Sequence, residues 1–100
     1  MRNKPRSVKS KQKMKSDLLN ILSDVGAITL PEYENALIGH SVGANPKAIY
    51  DVSKMLKTLI EKDDMTYDEA WEWLEYNIFP SFHPNQKVNH PIFFYPFQNV

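Results

Sequence analysis

The sequence predicts a small α+β domain preceded by a basic arm, and three observations support this fold class. The first fifteen residues contain seven Lys or Arg and no acid, whereas the rest of the chain contains five bases and twelve acids. Several segments repeat apolar residues at helical spacing. Short β-branched and aromatic segments lie beside turn signals. We therefore expect residues 1–12 to form a flexible basic arm and residues 13–100 to form one domain.

The first helix is predicted from Lys13 onward. Its apolar stripe follows the i, i+4, i+7, i+8 and i+11 spacing of one helix face. The stripe consists of Met14, Leu18, Ile21, Leu22 and Val25. Gly26 follows it, at a position where a left-handed residue commonly ends a helix. Beyond this helix, Pro31 opens either a helical turn with Glu32 and Glu34 or a loop.

A small antiparallel sheet is predicted from the segments near 35–42, 47–50 and 92–95. Residues 43–46 (Gly-Ala-Asn-Pro) are typical of a turn, which makes the first two segments a hairpin. Pro91 and Pro96 flank the third segment. Because proline cannot donate to a strand ladder, the third strand is expected at a sheet edge.

Two consecutive helices are predicted at 51–62 and 66–78. Asp51 is placed to cap the first, while Thr66 and Glu69 form a capping box for the second. Trp71 is expected in the core with the apolar face of the second helix, and Pro80 ends that helix. The remaining residues of this face are Tyr67, Ala70, Leu74 and Ile78.

Several of these segments together resemble a family of small phage and prophage proteins. They are residues 35–39 (Asn-Ala-Leu-Ile-Gly), 48–51 (Ala-Ile-Tyr-Asp) and 65–70 (Met-Thr-Tyr-Asp-Glu-Ala), followed by Trp73, Glu75, Asn77 and 91–93 (Pro-Ile-Phe). The family shares an Ile-Gly, a Tyr-Asp before a helix, a Met-Ser/Thr-Tyr-Glu-Glu-Ala helix with a later Asn, and a Thr-Pro strand. The resemblance spans roughly residues 34–94. It implies a fold and a phage-type accessory role, without an assigned chemistry.

The chain departs from that family between Pro80 and His90. Relatives usually carry a short Gly-rich link before the last strand, whereas this chain has a longer segment that contains Pro84 and His83. A function located in this loop is therefore not expected to be shared.

An enzyme is the least favoured class of function. The chain has no cysteine, and its three histidines, His40, His83 and His90, lack the spacing of a zinc site. P-loop, GxSxG and GxGxxG patterns are missing from the sequence. Helix capping already accounts for Asp68 and Glu69. No catalytic residue, metal or cofactor is predicted.

The apolar runs are too short for a membrane helix. The longest, residues 92–95, falls far below the ~20 residues that such a helix needs. The N-terminus is basic, but no apolar region of a signal peptide follows it. We therefore expect a soluble, cytoplasmic protein that does not contact membranes, and the phage resemblance implies that this cytoplasm is that of a host cell.

The predicted protein-binding residues are Trp73 and Tyr76, with Glu72 and Glu75 beside them. Trp73 cannot share the orientation of Trp71, because two residues on a helix are separated by about 200°. If exposed, Trp73 and Tyr76 form an aromatic anchor of the kind enriched at binding hot spots. The alternative is that the C-terminal segment 93–97 folds back and covers them. The sequence leaves both interpretations open.

The basic arm gives the second candidate, because cations at this density bind phosphates without sequence preference. Its cations are Arg2, Lys4, Arg6, Lys9, Lys11, Lys13 and Lys15. However, the arm has no aromatic residue for base stacking, and the acidic body repels phosphate. The sequence thus favours a non-enzymatic accessory protein that binds a host or phage protein; the resemblance suggests inhibition of a host defence complex. Nucleic-acid binding through the arm is the alternative.

Overall fold

A computed structural model describes residues 8–82 and 89–97, with side chains from Lys13 onward. Helix α1 spans Val8–Asp24, so it begins five residues before the predicted boundary. Gly26, two residues beyond the end of the helix, has a φ of 71°, the left-handed conformation that favours glycine. Only part of the predicted stripe is covered: Leu22 is fully buried, while Met14, Ile21 and Val25 are exposed. The core thus contacts mainly the C-terminal half of α1.

A 3-10 helix follows at Pro31–Ala36, which selects the helical-turn alternative for Pro31. Tyr33 and Ala36 of this turn are buried. The turn leads directly into strand β1, Leu37–His40. It packs against the helix that follows the hairpin, and this packing places Glu32 and Tyr33 near the functional surface described below.

The sheet contains β1, β2 (Ala48–Asp51) and β3 (Ile92–Phe94) in the order β1-β2-β3. Strands β1 and β2 form the predicted antiparallel hairpin, with a register shift between Leu37 and Gly39. Strand β3 lies at an edge, as its flanking prolines predict. It pairs with β2 in parallel, so the expectation of a wholly antiparallel sheet is wrong. Apolar patterning carries no strand direction, and the connection across residues 52–91 is long enough for a parallel crossover.

Helices α2 (Val52–Asp63) and α3 (Tyr67–Asn77) form that connection, within two residues of their predicted bounds. The Asp51 carboxylate caps α2 by accepting from the amides of Ser53 at 2.9 Å and Lys54 at 3.4 Å. Asp64 ends α2 in the left-handed conformation, with φ of 56°. A single 3-10 turn, Phe79–Ser81, follows α3.

One apolar core joins these elements and confirms the α+β class. Its largest fully buried side chains are Leu22, Tyr50, Met55 and Leu74. The Tyr50 hydroxyl accepts a hydrogen bond from the Leu30 amide at 2.7 Å, which satisfies a polar group in the core. Across the described part of the chain, no helix is long and apolar enough to cross a membrane.

Candidate functional site

The site is built on α3, whose start is fixed by the predicted capping box. Thr66 Oγ1 accepts from the Glu69 amide at 3.1 Å, and Glu69 Oε1 accepts from the Thr66 amide at 2.8 Å. These two bonds satisfy backbone groups that the helix itself leaves unpaired. The orientation of every side chain on α3 is therefore set from its first turn.

The faces of α3 have different surroundings. Ala70 and Leu74 are fully buried and attach the helix to the core. On another side of the helix, Trp73 is 42% exposed and Tyr76 is 77% exposed. The two aromatic residues predicted as an anchor therefore both reach solvent.

The described part of the C-terminal segment packs on Trp71 instead of Trp73. Tyr95 stacks on Trp71 with ring centroids 5.7 Å apart and an interplanar angle of 21°. Tyr67 meets the same indole edge-on at 6.4 Å, and its hydroxyl lies 3.4 Å from that of Tyr95. We call Tyr67, Trp71 and Tyr95 the Trp71 cluster. Trp71 was predicted to lie in the core. It is partly buried and packs against the core from the edge.

One side of Trp73 closes a groove of about 340 Å³ between α2, α3 and the first 3-10 turn. Tyr33, Leu59 and Ile78 supply its apolar lining, with Glu32, Thr58, Lys62 and Asp63 around them. Burial raises the pKa of Tyr33 above its ordinary value, and a hydrogen bond from the Trp73 side chain opposes that rise. Tyr33 and Trp73 thus line the same groove and lie on opposite elements, the 3-10 turn and α3.

Trp73 also lines a second, neighbouring groove of about 420 Å³. Among the described residues that line it, four carry carboxylates and none carries a cation. Trp73 and Asp63 belong to both grooves, so the indole stands between them. The lining residues are Asp63, Asp64, Met65, Glu69, Glu72, Trp73, Tyr76 and Asn77. We call the two grooves together the Trp73 surface.

Three of the four predicted protein-binding residues meet on this surface. Glu72 and Tyr76 line the second groove together with Trp73. Glu75 is exposed on the same helix but does not line either groove. The surface therefore has an aromatic centre with a carboxylate rim, which is electrostatically suited to a cationic partner.

Sequence reasoning missed the residues that other elements bring to this surface. Tyr33 comes from the 3-10 turn, Asp63 and Asp64 come from the end of α2, and Ile78 follows α3. Apolar periodicity identified each element but not the pairing between them.

The histidines show no metal-site geometry in the described ranges. His40 Nδ1 lies 2.8 Å from the Ser41 carbonyl oxygen, and His90 Nδ1 lies 3.0 Å from that of Pro91. His83 lies outside the described residues. No group of three or more potential ligands converges among the residues that the structure describes.

Two arm cations contact the body of the protein. Lys13 pairs with Asp17 at 3.8 Å on the exposed side of α1. Lys15 Nζ donates to the Glu34 carbonyl at 2.8 Å. Arg2, Lys4 and Arg6 lie outside the described residues, as do the side chains of Lys9 and Lys11.

Comparisons with protein-family models, curated proteins and solved structures find no match to this chain. The resemblance to the phage family therefore stays a prediction from the residues quoted above.

Proposed function

We propose that this chain is a non-enzymatic binding protein that captures a basic protein segment on the Trp73 surface. The observation that carries the proposal is the position of Trp73, which lines both grooves, with four carboxylates along one side of it. A positioned aromatic ring loses little conformational freedom on binding, which favours affinity.

The chemistry of the surface defines the partner. An Arg or Lys side chain stacked on Trp73 or Tyr76 gains a cation–π interaction. The carboxylates of Glu72 and Asp64 attract the same cation and exclude acidic partners. The partner is thus a segment with at least one exposed Arg or Lys next to apolar residues that fill the Tyr33 groove.

The phage resemblance supplies the biological setting of the proposal. A small accessory protein of this kind acts in the host cytoplasm by occupying a surface of a host protein, and a host defence complex is the target we propose. Nucleic-acid binding through the arm is less favoured, because Lys15 is engaged by Glu34 and the Trp73 surface repels phosphate.

Capture from host lysate, treated with nuclease, followed by affinity measurement on the captured protein, tests the proposal. Trp73→Ala is expected to weaken binding by about 2 kcal/mol or more, which is ~30-fold. Its melting transition should stay cooperative, because Leu74 and Ala70 still attach α3 to the core. Unchanged affinity in a folded Trp73→Ala variant would contradict the proposal, as would loss of the captured partner on nuclease treatment.

Glu72 and Glu75 are two exposed carboxylates on the same helix, so their single substitutions can be compared directly. Glu72→Lys and Glu75→Lys should each slow association at low salt, because electrostatic steering depends on the electric field of the whole protein. Glu72→Lys should in addition speed dissociation, since Glu72 lines the groove and Glu75 does not. Equal dissociation rates for the two variants would place the contact elsewhere on α3.

A further inference from the structure

The N-terminal segment has the charge that the Trp73 surface lacks. Residues 1–7 contain Arg2, Lys4 and Arg6 and no acid. The two grooves together carry five carboxylates, those of Glu32, Asp63, Asp64, Glu69 and Glu72, against the single cation of Lys62. A basic segment of this same chain therefore has the positive charge that we expect of a partner for this surface.

Lys15 attaches α1 to the 3-10 turn that lines the first groove. Lys15 Nζ donates to the carbonyl of Glu34, in the same 3-10 turn that presents Glu32 and Tyr33 to the first groove. Val8, where α1 begins, lies seven residues before Lys15, or about 10 Å along a helix. The seven residues before Val8 span up to about 25 Å when extended.

We propose that residues 1–7 dock in cis onto the Trp73 surface, with the Arg2, Lys4 and Arg6 side chains against the indole and its carboxylate rim. A short tether holds a segment at an effective concentration in the mM range. Contacts with an intrinsic Kd in the mM range are therefore enough for substantial occupancy. The segment acts as a built-in competitor for the partner, a consequence that rests on the proposed function.

The test uses the full-length, ¹⁵N-labelled chain, with the indole N–H resonance of Trp73 as the probe and that of Trp71 as the internal control. Salt is raised from about 0.01 M to about 1 M, which shortens the Debye length from about 30 Å to about 3 Å. Three variants are compared with the parent: Trp73→Phe for assignment, an arm variant and a control variant. The arm variant is Arg2→Ser, Lys4→Ser, Arg6→Ser. The control variant, which removes three charges outside both grooves, is Lys47→Ser, Lys54→Ser, Lys57→Ser.

Docking predicts that the Trp73 resonance of the parent moves with salt, while that of Trp71 stays in place. The arm variant at low salt should already show the high-salt position, and the control variant should behave as the parent does. A Trp73 resonance that is the same in parent and arm variant at low salt overturns the proposal. A shift of the Trp73 resonance that depends on protein concentration also overturns the proposal, because the contact would then lie between two copies of the chain.

A binding measurement separates this inference from the proposed function. If docking competes with the partner at half occupancy, the arm variant should bind the captured partner about twofold more tightly than the parent. If the resonances show no docking while Trp73→Ala still abolishes partner binding, only the inference fails. If docking is seen and Trp73→Ala leaves partner affinity unchanged, the proposed function fails and the docking contact stands.

Discussion

Trp71 and Trp73 lie two residues apart on one helix, yet their surroundings are opposite. Trp71 packs against the core and is stacked by Tyr95 from the C-terminal segment. Trp73 reaches solvent and lines two grooves, one of them together with Tyr33. The rotation of about 200° between positions i and i+2 separates the two rings. The comparison shows that one short helix can place one tryptophan against the core and another at the surface, where we propose that it binds a partner.

The largest expected effect is a loss of stability when Trp71 is removed. Trp71→Ala should lower the free energy of unfolding by about 3 kcal/mol, because it removes a partly buried indole together with its contacts to Tyr95 and Tyr67. Trp73→Ala should cost only about 1–2 kcal/mol, since nearly half of that side chain is exposed. Denaturant unfolding of both variants measures the difference. A greater loss for Trp73→Ala would reverse the assignment of the two rings.

The capping box supports both rings, because it fixes the first turn of α3. Thr66→Ala removes the hydroxyl that accepts the Glu69 amide and should cost about 1 kcal/mol. Thr66→Ser keeps this acceptor and should melt close to the parent. Thermal melts of the two variants compare them directly. A Thr66→Ala variant that melts with the parent would show that α3 does not depend on its cap.

Tyr33, which lines the first groove together with Trp73, allows a smaller test through the pH dependence of stability. Burial raises the pKa of Tyr33 above its ordinary 10.0, so the folded state favours the neutral phenol. This contribution to stability is fully present below about pH 10 and is lost as the pH rises through the raised pKa. Tyr33→Phe should therefore make the alkaline loss of stability less steep, as followed by urea unfolding between about pH 9 and pH 11. Identical slopes would mean that the pKa of Tyr33 is the same in the folded and unfolded states.

Local interactions of the fold were readable from the sequence. Asp51, Thr66 and Glu69 make the capping bonds that their positions predict, and Gly26 ends α1 in the expected conformation. These features depend on residues within four positions of each other, so their chemistry is contained in a short window of sequence. The loop between β1 and β2 needs a slightly longer window, because Ser41 and Lys47 close it with two hydrogen bonds.

Features that join distant segments were not readable. The parallel pairing of β3 with β2 brings together Ile49 and Ile92, and no pattern within either strand specifies direction. The groove lined by both Tyr33 and Trp73 brings together residues forty positions apart. Tertiary packing likewise decides whether the C-terminal segment covers Trp71 or Trp73. The sequence thus predicted the residues on α3 and left open which of them were covered.

The most direct measurement of the central claim compares two exposed tyrosines of α3 in partner binding. Tyr76, 77% exposed, lines the acidic groove beside Trp73, whereas Tyr67, 50% exposed, belongs to the Trp71 cluster. For the partner captured from host lysate, Tyr76→Ala should raise the Kd by ~10-fold, equivalent to about 1.4 kcal/mol, while Tyr67→Ala leaves it within ~2-fold of the parent. A larger loss of affinity for Tyr67→Ala than for Tyr76→Ala would contradict the assignment of the Trp73 surface as the binding site.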